Sequence, residues 1–184
     1  MSGARIPGVL LTGGRSARMG RDKATIVVRG ETLAARAARV LRAVCAPCVE
    51  VGDGVSGLPA VREEPRGAGP LAAFLAGVDA LGAAGPVFLL AVDLPHVDER
   101  AVGLLAGRPG THSVVPVVAG RHQYACARWS AAAITRARAS ASTALGALMG
   151  DDVELLDEAA WRGVLAPGVF RDVDTPGDLA SLGP

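Results

Sequence analysis

Cysteine is scarce in this chain, with three among 184 residues. So small and odd a count makes no disulfide framework, which removes the stapled secreted folds. No apolar run reaches the length of a membrane span, and the opening "MSGARIPGVLL" lacks the long hydrophobic stretch of a secretion signal. An excess of either charge is missing too: 19 Lys and Arg stand against 18 Asp and Glu, a net charge of +1. That balance argues against whole-surface attraction to nucleic acid or to a membrane. Internal repeats, low-complexity tracts and Pro- or Ser-rich linkers are absent as well. These absences leave a soluble, cytoplasmic globular protein, expected to be one domain over residues 1–184.

Half of the residues are hydrophobic, enough for a sizeable core, and they come in alternating patterns. Ile6 to Leu11 is a short apolar run, as a buried parallel strand would be. A loop over 12–23 follows, then a brief strand at 24–28. Leu33, Ala37, Val40, Leu41 and Val44 recur at helical spacing behind Thr32, a suitable N-cap. "CVEVG" and "PAVRE" read as short strands, and "GPLAAFLAGVDAL" as a helix with Pro70 in first position. "PVFLLAVDLP" is the strongest strand and ends at Asp93, after which Asp98 caps a helix through Leu105. "SVVPVV" and "RHQYACARW" flank an Ala119-Gly120 turn as a hairpin or insertion. Helix is expected to fill 130–149 with Ser142 as a cap, and "VFRDVDTPGDLASL" to close with a strand, a turn and a short helix. The alternation predicts an α/β fold with a mostly parallel sheet covered on both faces. In such sheets ligands bind beyond the carboxyl ends of the strands. The loop after the first strand, Glu64 after the third and Asp93 after the fourth all fall there.

That first loop, "LLTGGRSARMGRDKAT" over residues 10–25, packs Arg15, Arg18, Arg21 and Lys23 around a single acid, Asp22. Cations this dense repel one another, so an anion is expected among them. Glycines let backbone N–H groups approach a phosphate, and Arg18 and Lys23 would add charge-assisted contacts. The loop is not a Walker A motif, because Arg21 and Asp22 separate Gly20 from Lys23. Nor is it a dinucleotide fingerprint or a nucleophile elbow, whose glycine spacings are missing. A solvated surface loop is the plain alternative.

The whole stretch has the form L-x-G-G-x-S-x-R-M-G-x-D-K, and in this it resembles the signature of MobA-like nucleotidyltransferases, above all the molybdenum cofactor guanylyltransferases. "EEPRGAGPLAAFLAG" is similar to the family's acid-then-G-P-L-A segment at base and ribose, and "LLAVDLPHV" to its strand ending in Asp-x-Pro. "RHQYACARWS" resembles the segment lining the acceptor pocket, and "DVDTPGDLA" the closing motif, so the likeness runs from about residue 8 to 181. It implies a three-layer α/β/α sandwich of the nucleotide-diphospho-sugar-transferase type, Rossmann-like, with a mostly parallel sheet. It also implies that the backbone from Leu10 through Thr12, Gly13 and Gly14 holds the base edge, and that Arg18 and Lys23 hold phosphates. Glu64, Gly69, Pro70 and Leu71 would meet base and ribose, His122 the acceptor, and Asp93 a Mg²⁺ ion. Thr12 stands where the family usually has Ala, Glu64 where Asp is usual, and Gln123 where a proline follows the histidine. Asp172 and Asp174 stand where some members carry asparagines.

The implied reaction moves GMP from GTP to the phosphate of a molybdopterin-type cofactor and releases pyrophosphate. An acceptor phosphate is already ionised near neutral pH, so cations rather than a strong base are needed, and no nucleophile triad is evident. Three alternatives stay open: cytidylyl transfer to the same cofactor, a sugar- or alcohol-phosphate acceptor, and a non-catalytic nucleotide-binding module. Transient contact with molybdoenzymes or cofactor-biosynthesis proteins would accompany the first. Asp93 has a turn or helix cap as its plain reading, and Asp174 is a weaker metal candidate with the same alternative. His96 reads as a solvated loop histidine. Cys45 and Cys48 follow a helix rather than precede one, which is the wrong order for a redox pair, so they read as structural.

Overall fold

The computed structural model describes residues 5–13, 22–173 and 177–178. Gly14, Arg18 and Asp174, each singled out by the sequence, lie outside them. In chain order the elements are β1 (Gly8–Leu11), β2 (Val27–Val28), β3 (Glu31–Thr32), α1 (Leu33–Val44), β4 (Cys48–Val51) and β5 (Ala60–Val61). They continue with α2 (Pro70–Leu81), β6 (Val87–Ala91), α3 (Glu99–Ala106), β7 (Ser113–Val118), β8 (Arg121–His122) and β9 (Cys126–Trp129). Last come α4 (Ala131–Arg138), β10 (Val153–Leu156) and α5 (Glu158–Trp161). Thr32 and Asp98 cap α1 and α3, accepting from the N–H groups of Ala35 and Ala101, and Pro70 opens α2.

The main sheet runs β10-β7-β9-β6-β1-β4-β5, with β8 folded onto β7. β5, β4, β1 and β6 are mutually parallel, as are β7 and β10, whereas β9 lies antiparallel between β6 and β7. Local chemistry explains that reversal. Ala119 (φ 47°) and Gly120 (φ 75°) both take positive φ, the pattern of a tight hairpin turn, so the chain doubles back into β8 and then β9. Helical crossovers, by contrast, return the chain parallel.

Alternate side chains of each strand serve opposite faces. Leu10, Phe88 and Leu90 meet α1 and α3 through Leu41, Ala101 and Leu105. Val9, Leu11, Val51 and Leu89 meet α2 and α4 through Phe74, Val78 and Ile134. Each such aliphatic side chain removed from water contributes roughly 2 kcal/mol. This is the expected α/β/α sandwich.

Four expectations need correction. Residues 23–25 form a 3₁₀ turn rather than a strand, and β2 then pairs with β3 away from the main sheet. The helix over 130–149 stops at Arg138; its N-cap is Ser130, and residues 145–148 are a separate 3₁₀ turn. Ser142 instead accepts from the N–H of Ala144 within the connecting loop. No strand forms at 168–173. Val169 and Phe170 instead turn inward against Trp161 and the α1–α3 core, so burial rather than pairing holds that segment.

Candidate active site

Among the described residues, four adjoining cavities follow the carboxyl edge of the sheet. The first, about 760 Å³, lies between Gly13 after β1, Gly52 and Asp53 after β4, Arg62 and Arg66 after β5, and Gly69 before α2. The next, about 290 Å³, shares Leu11, Gly13 and Pro70 with it and holds Lys23 and Asp93. Asp93 also lines a third cavity of about 320 Å³ with His122, Tyr124 and Asp172. A fourth of about 800 Å³, walled by the β7–β8 hairpin and the segment 158–172, adjoins it through Gln123 and Asp172.

A buried carboxylate holds the loop after β4 that lines the first cavity. Glu50 in β4 has no solvent exposure. Its Oε1 accepts from Thr12 Oγ1 (2.7 Å) and from the N–H groups of Gly54 (2.8 Å) and Val55 (3.1 Å), and its Oε2 from that of Ser56 (2.8 Å). Burial pushes this carboxyl up, but the hydrogen bonds from Ser56, Thr12 and Val55 together outweigh it and hold it below the ordinary value. The clamp ties the turn after β1 to the loop after β4. The N–H groups of Thr12 and Gly13 also both turn onto Val51 C=O (3.2 and 3.3 Å). A Cβ on Gly52 would sit 2.0 Å from Thr12 Oγ1, so the threonine demands a glycine there.

Residues 8–155 match the family model described as the MobA-like NTP transferase domain. The chain belongs to that family. It is 43% identical over 120 residues to the probable molybdenum cofactor guanylyltransferase of Opitutus terrae, a stretch covering 60% of this chain and 59% of that protein. It is 30% identical to the molybdenum cofactor guanylyltransferase of Rhodobacter capsulatus over 96% of this chain and 94% of that one. Among solved structures, molybdopterin-guanine dinucleotide biosynthesis protein A from Archaeoglobus fulgidus superposes with a TM-score of 0.76 at 17% identity, covering 96% of each chain. At that identity the likeness is one of fold.

Within this MobA-like frame the sequence-derived residues divide. Thr12, Gly13, Lys23, Pro70 and Asp93 come together around the second cavity. Asp22 caps the 3₁₀ turn that carries Lys23, accepting from Ala24 N–H (3.0 Å). The helix-cap alternative for Asp93 is taken by Asp98, whose Oδ1 accepts from Ala101 N–H (2.9 Å). Gly69 and Pro70 line the first cavity, but Leu71 and Leu10 point into opposite cores. Glu64 is exposed, and it is Glu63 that reaches the cavity wall, accepting from Gly67 N–H (3.0 Å). His122 pairs through Nδ1 with the Tyr124 hydroxyl (3.1 Å) at the third cavity.

Sequence reasoning passed over Glu50, Asp53, Arg62 and Arg66. A charged residue inside the apolar strand "CVEV" was the available signal for Glu50. Among the described residues no three His, Cys, Asp or Glu side chains gather to cage a metal ion, and no helix is long and apolar enough to cross a membrane. Cys45 is buried, and burial, then the neighbouring Cys48, pushes its thiol up to about 12, which leaves it inert. His96 is exposed on its loop, its pKa lowered by partial burial and then by Arg171 and Arg36.

Proposed function

We propose that this chain transfers GMP from GTP to the phosphate of a molybdopterin-type cofactor. The observation that carries the reading is Lys23 and Asp93 facing one cavity midway along the edge, with the large first cavity on one side and the third, which shares Asp93, on the other. The base and ribose take the first cavity, beside Gly13, Gly69 and Pro70. The α-phosphate takes the second, where the Lys23 ammonium neutralises its oxygens; the family resemblance assigns phosphate contacts to Arg18 as well, which lies outside the described residues. The acceptor phosphate arrives past His122 and Tyr124, already ionised and needing no strong base. One of its oxygens bonds to the α-phosphorus as the bond to the β-phosphate oxygen breaks, and pyrophosphate leaves with the electron pair.

The donor set suits Mg²⁺: Asp93 and Asp172 line the same third cavity, and this ion takes one or two carboxylates together with phosphate oxygens. Held by Asp93 and Asp172, the ion would supply positive charge to offset that of the leaving pyrophosphate. Delivery to molybdoenzymes or other cofactor-biosynthesis proteins belongs to the same reading.

Pyrophosphate release with each of the four nucleoside triphosphates, with and without molybdenum cofactor, tests it. Release from GTP that requires the cofactor is expected. Preference for CTP, or equal release with simple sugar phosphates, overturns it.

A further inference from the structure

We infer that Asp53, flanked by Arg62 and Arg66, reads the guanine base, a role that rests on the guanylyl-transfer reading above. Asp53 projects from the loop that Glu50 pins through the N–H groups of Gly54, Val55 and Ser56. It lines the first cavity, and the only other charged side chains there are Arg62, Glu63 and Arg66, among the described residues. Both arginines converge on one oxygen of Asp53: Arg62 Nη2 reaches Oδ1 at 2.8 Å and Arg66 Nη2 at 2.6 Å.

Two cations on one carboxylate oxygen have a consequence for ligand chemistry. They fix the orientation of the carboxylate, while Oδ2 has no hydrogen-bond partner among the described residues. A carboxylate oxygen at a cavity wall accepts from donors. Guanine is the common base with two donors side by side, N1–H and the 2-amino group, and its O6 acceptor lies next along the same edge. Asp53 Oδ2 takes the donor pair, and the arginines beside it supply N–H groups to O6. Adenine reverses this pattern, turning the lone pair of N1 toward the carboxylate, and cytosine offers neither arrangement. A mere surface ion pair would hold the two loops together and leave base choice to the backbone.

Nucleotide analogues separate these cases. Relative kcat/KM is measured for GTP, inosine triphosphate (no 2-amino group) and xanthosine triphosphate (a carbonyl in its place), in the wild type, Asp53→Asn and Arg66→Met. The wild type is expected to favour GTP over the inosine analogue about tenfold, the scale of one lost hydrogen bond to a charged group. Asp53→Asn, which offers a donor to the xanthine carbonyl, shifts the ratio of GTP to xanthosine triphosphate by roughly a hundredfold toward the latter. Arg66→Met weakens GTP and the inosine analogue alike, since both keep O6. A wild type that selects GTP while Asp53→Asn leaves that ratio unmoved overturns the inference and spares the proposed function. A wild type that prefers CTP overturns both.

Discussion

Glu50 shows how much one buried charge can organise. Its four donors replace water, and hydrogen bonds to an ionised group are the strong kind. Glu50→Gln keeps the volume but turns an amide toward backbone N–H groups, and is expected to cost on the order of 3 kcal/mol in chemical denaturation at neutral pH. Because the folded carboxyl titrates below its ordinary 4.5, its contribution is present above that value and fades as the pH falls through the folded one. The gap between wild type and variant should therefore close in acid, and a constant gap would deny Glu50 its charge. At the reacting centre, Lys23→Ala should lose about 3 kcal/mol of transition-state stabilisation, as deletion of one preorganised donor does, with melting temperature kept. Asp93→Asn separates a metal ligand from a turn residue. Pyrophosphate release should collapse and the Mg²⁺ titration move to much higher concentration while the fold persists; normal turnover with unchanged Mg²⁺ dependence would sink the assignment.

Helix α2 brings the site and the core into contact, and its glycines say how closely. Gly69 has φ 105°, and a Cβ there would stand 2.9 Å from Thr143 Cβ and 3.0 Å from Thr143 O. Gly69→Ala should cost about 2 kcal/mol from backbone strain and crowding, and should raise KM for GTP because Pro70 moves with it. At Gly77 a Cβ would meet Val9 Cγ1 at 2.6 Å, so Gly77→Ala should push α2 off β1 at a cost of about 1–3 kcal/mol. Gly103 in α3 has nothing within 4 Å of a Cβ and an ordinary helical conformation. There alanine should stabilise by about 0.5–1 kcal/mol. Thermal melts of the three variants would check the signs, and a stable Gly77→Ala protein would refute the close packing.

On the scale of the whole molecule, the cavities run across loops that follow β1, β4, β5 and β6, so nucleotide bound there ties separate stretches of chain together. A ligand that binds only the folded form stabilises it by about 2.7 kcal/mol at a hundredfold excess over Kd. GTP with Mg²⁺ should raise the melting temperature, and CTP at the same concentration should raise it less. Equal shifts from both would argue against base selection at the Asp53 loop.

What the sequence determined by itself was local and periodic. The buried runs of β1 and β6, the heptad-like spacing of α1, Thr32, Pro70 and Asp98 at helix starts, and Asp93 at a strand end all follow from spacing and capping within a few residues. The tertiary structure decided what depends on contacts between distant segments. Thr12 meets Glu50 across 38 positions, and Asp53 gathers arginines nine and thirteen positions on. Burial of 169–170 against Trp161 replaced the closing strand. Whether Glu63 or Glu64 faces the cavity turns on the path of one short loop. Periodicity tells which face a side chain takes within its own element; only the packed sheet edge brings charges from separate loops to adjoining cavities.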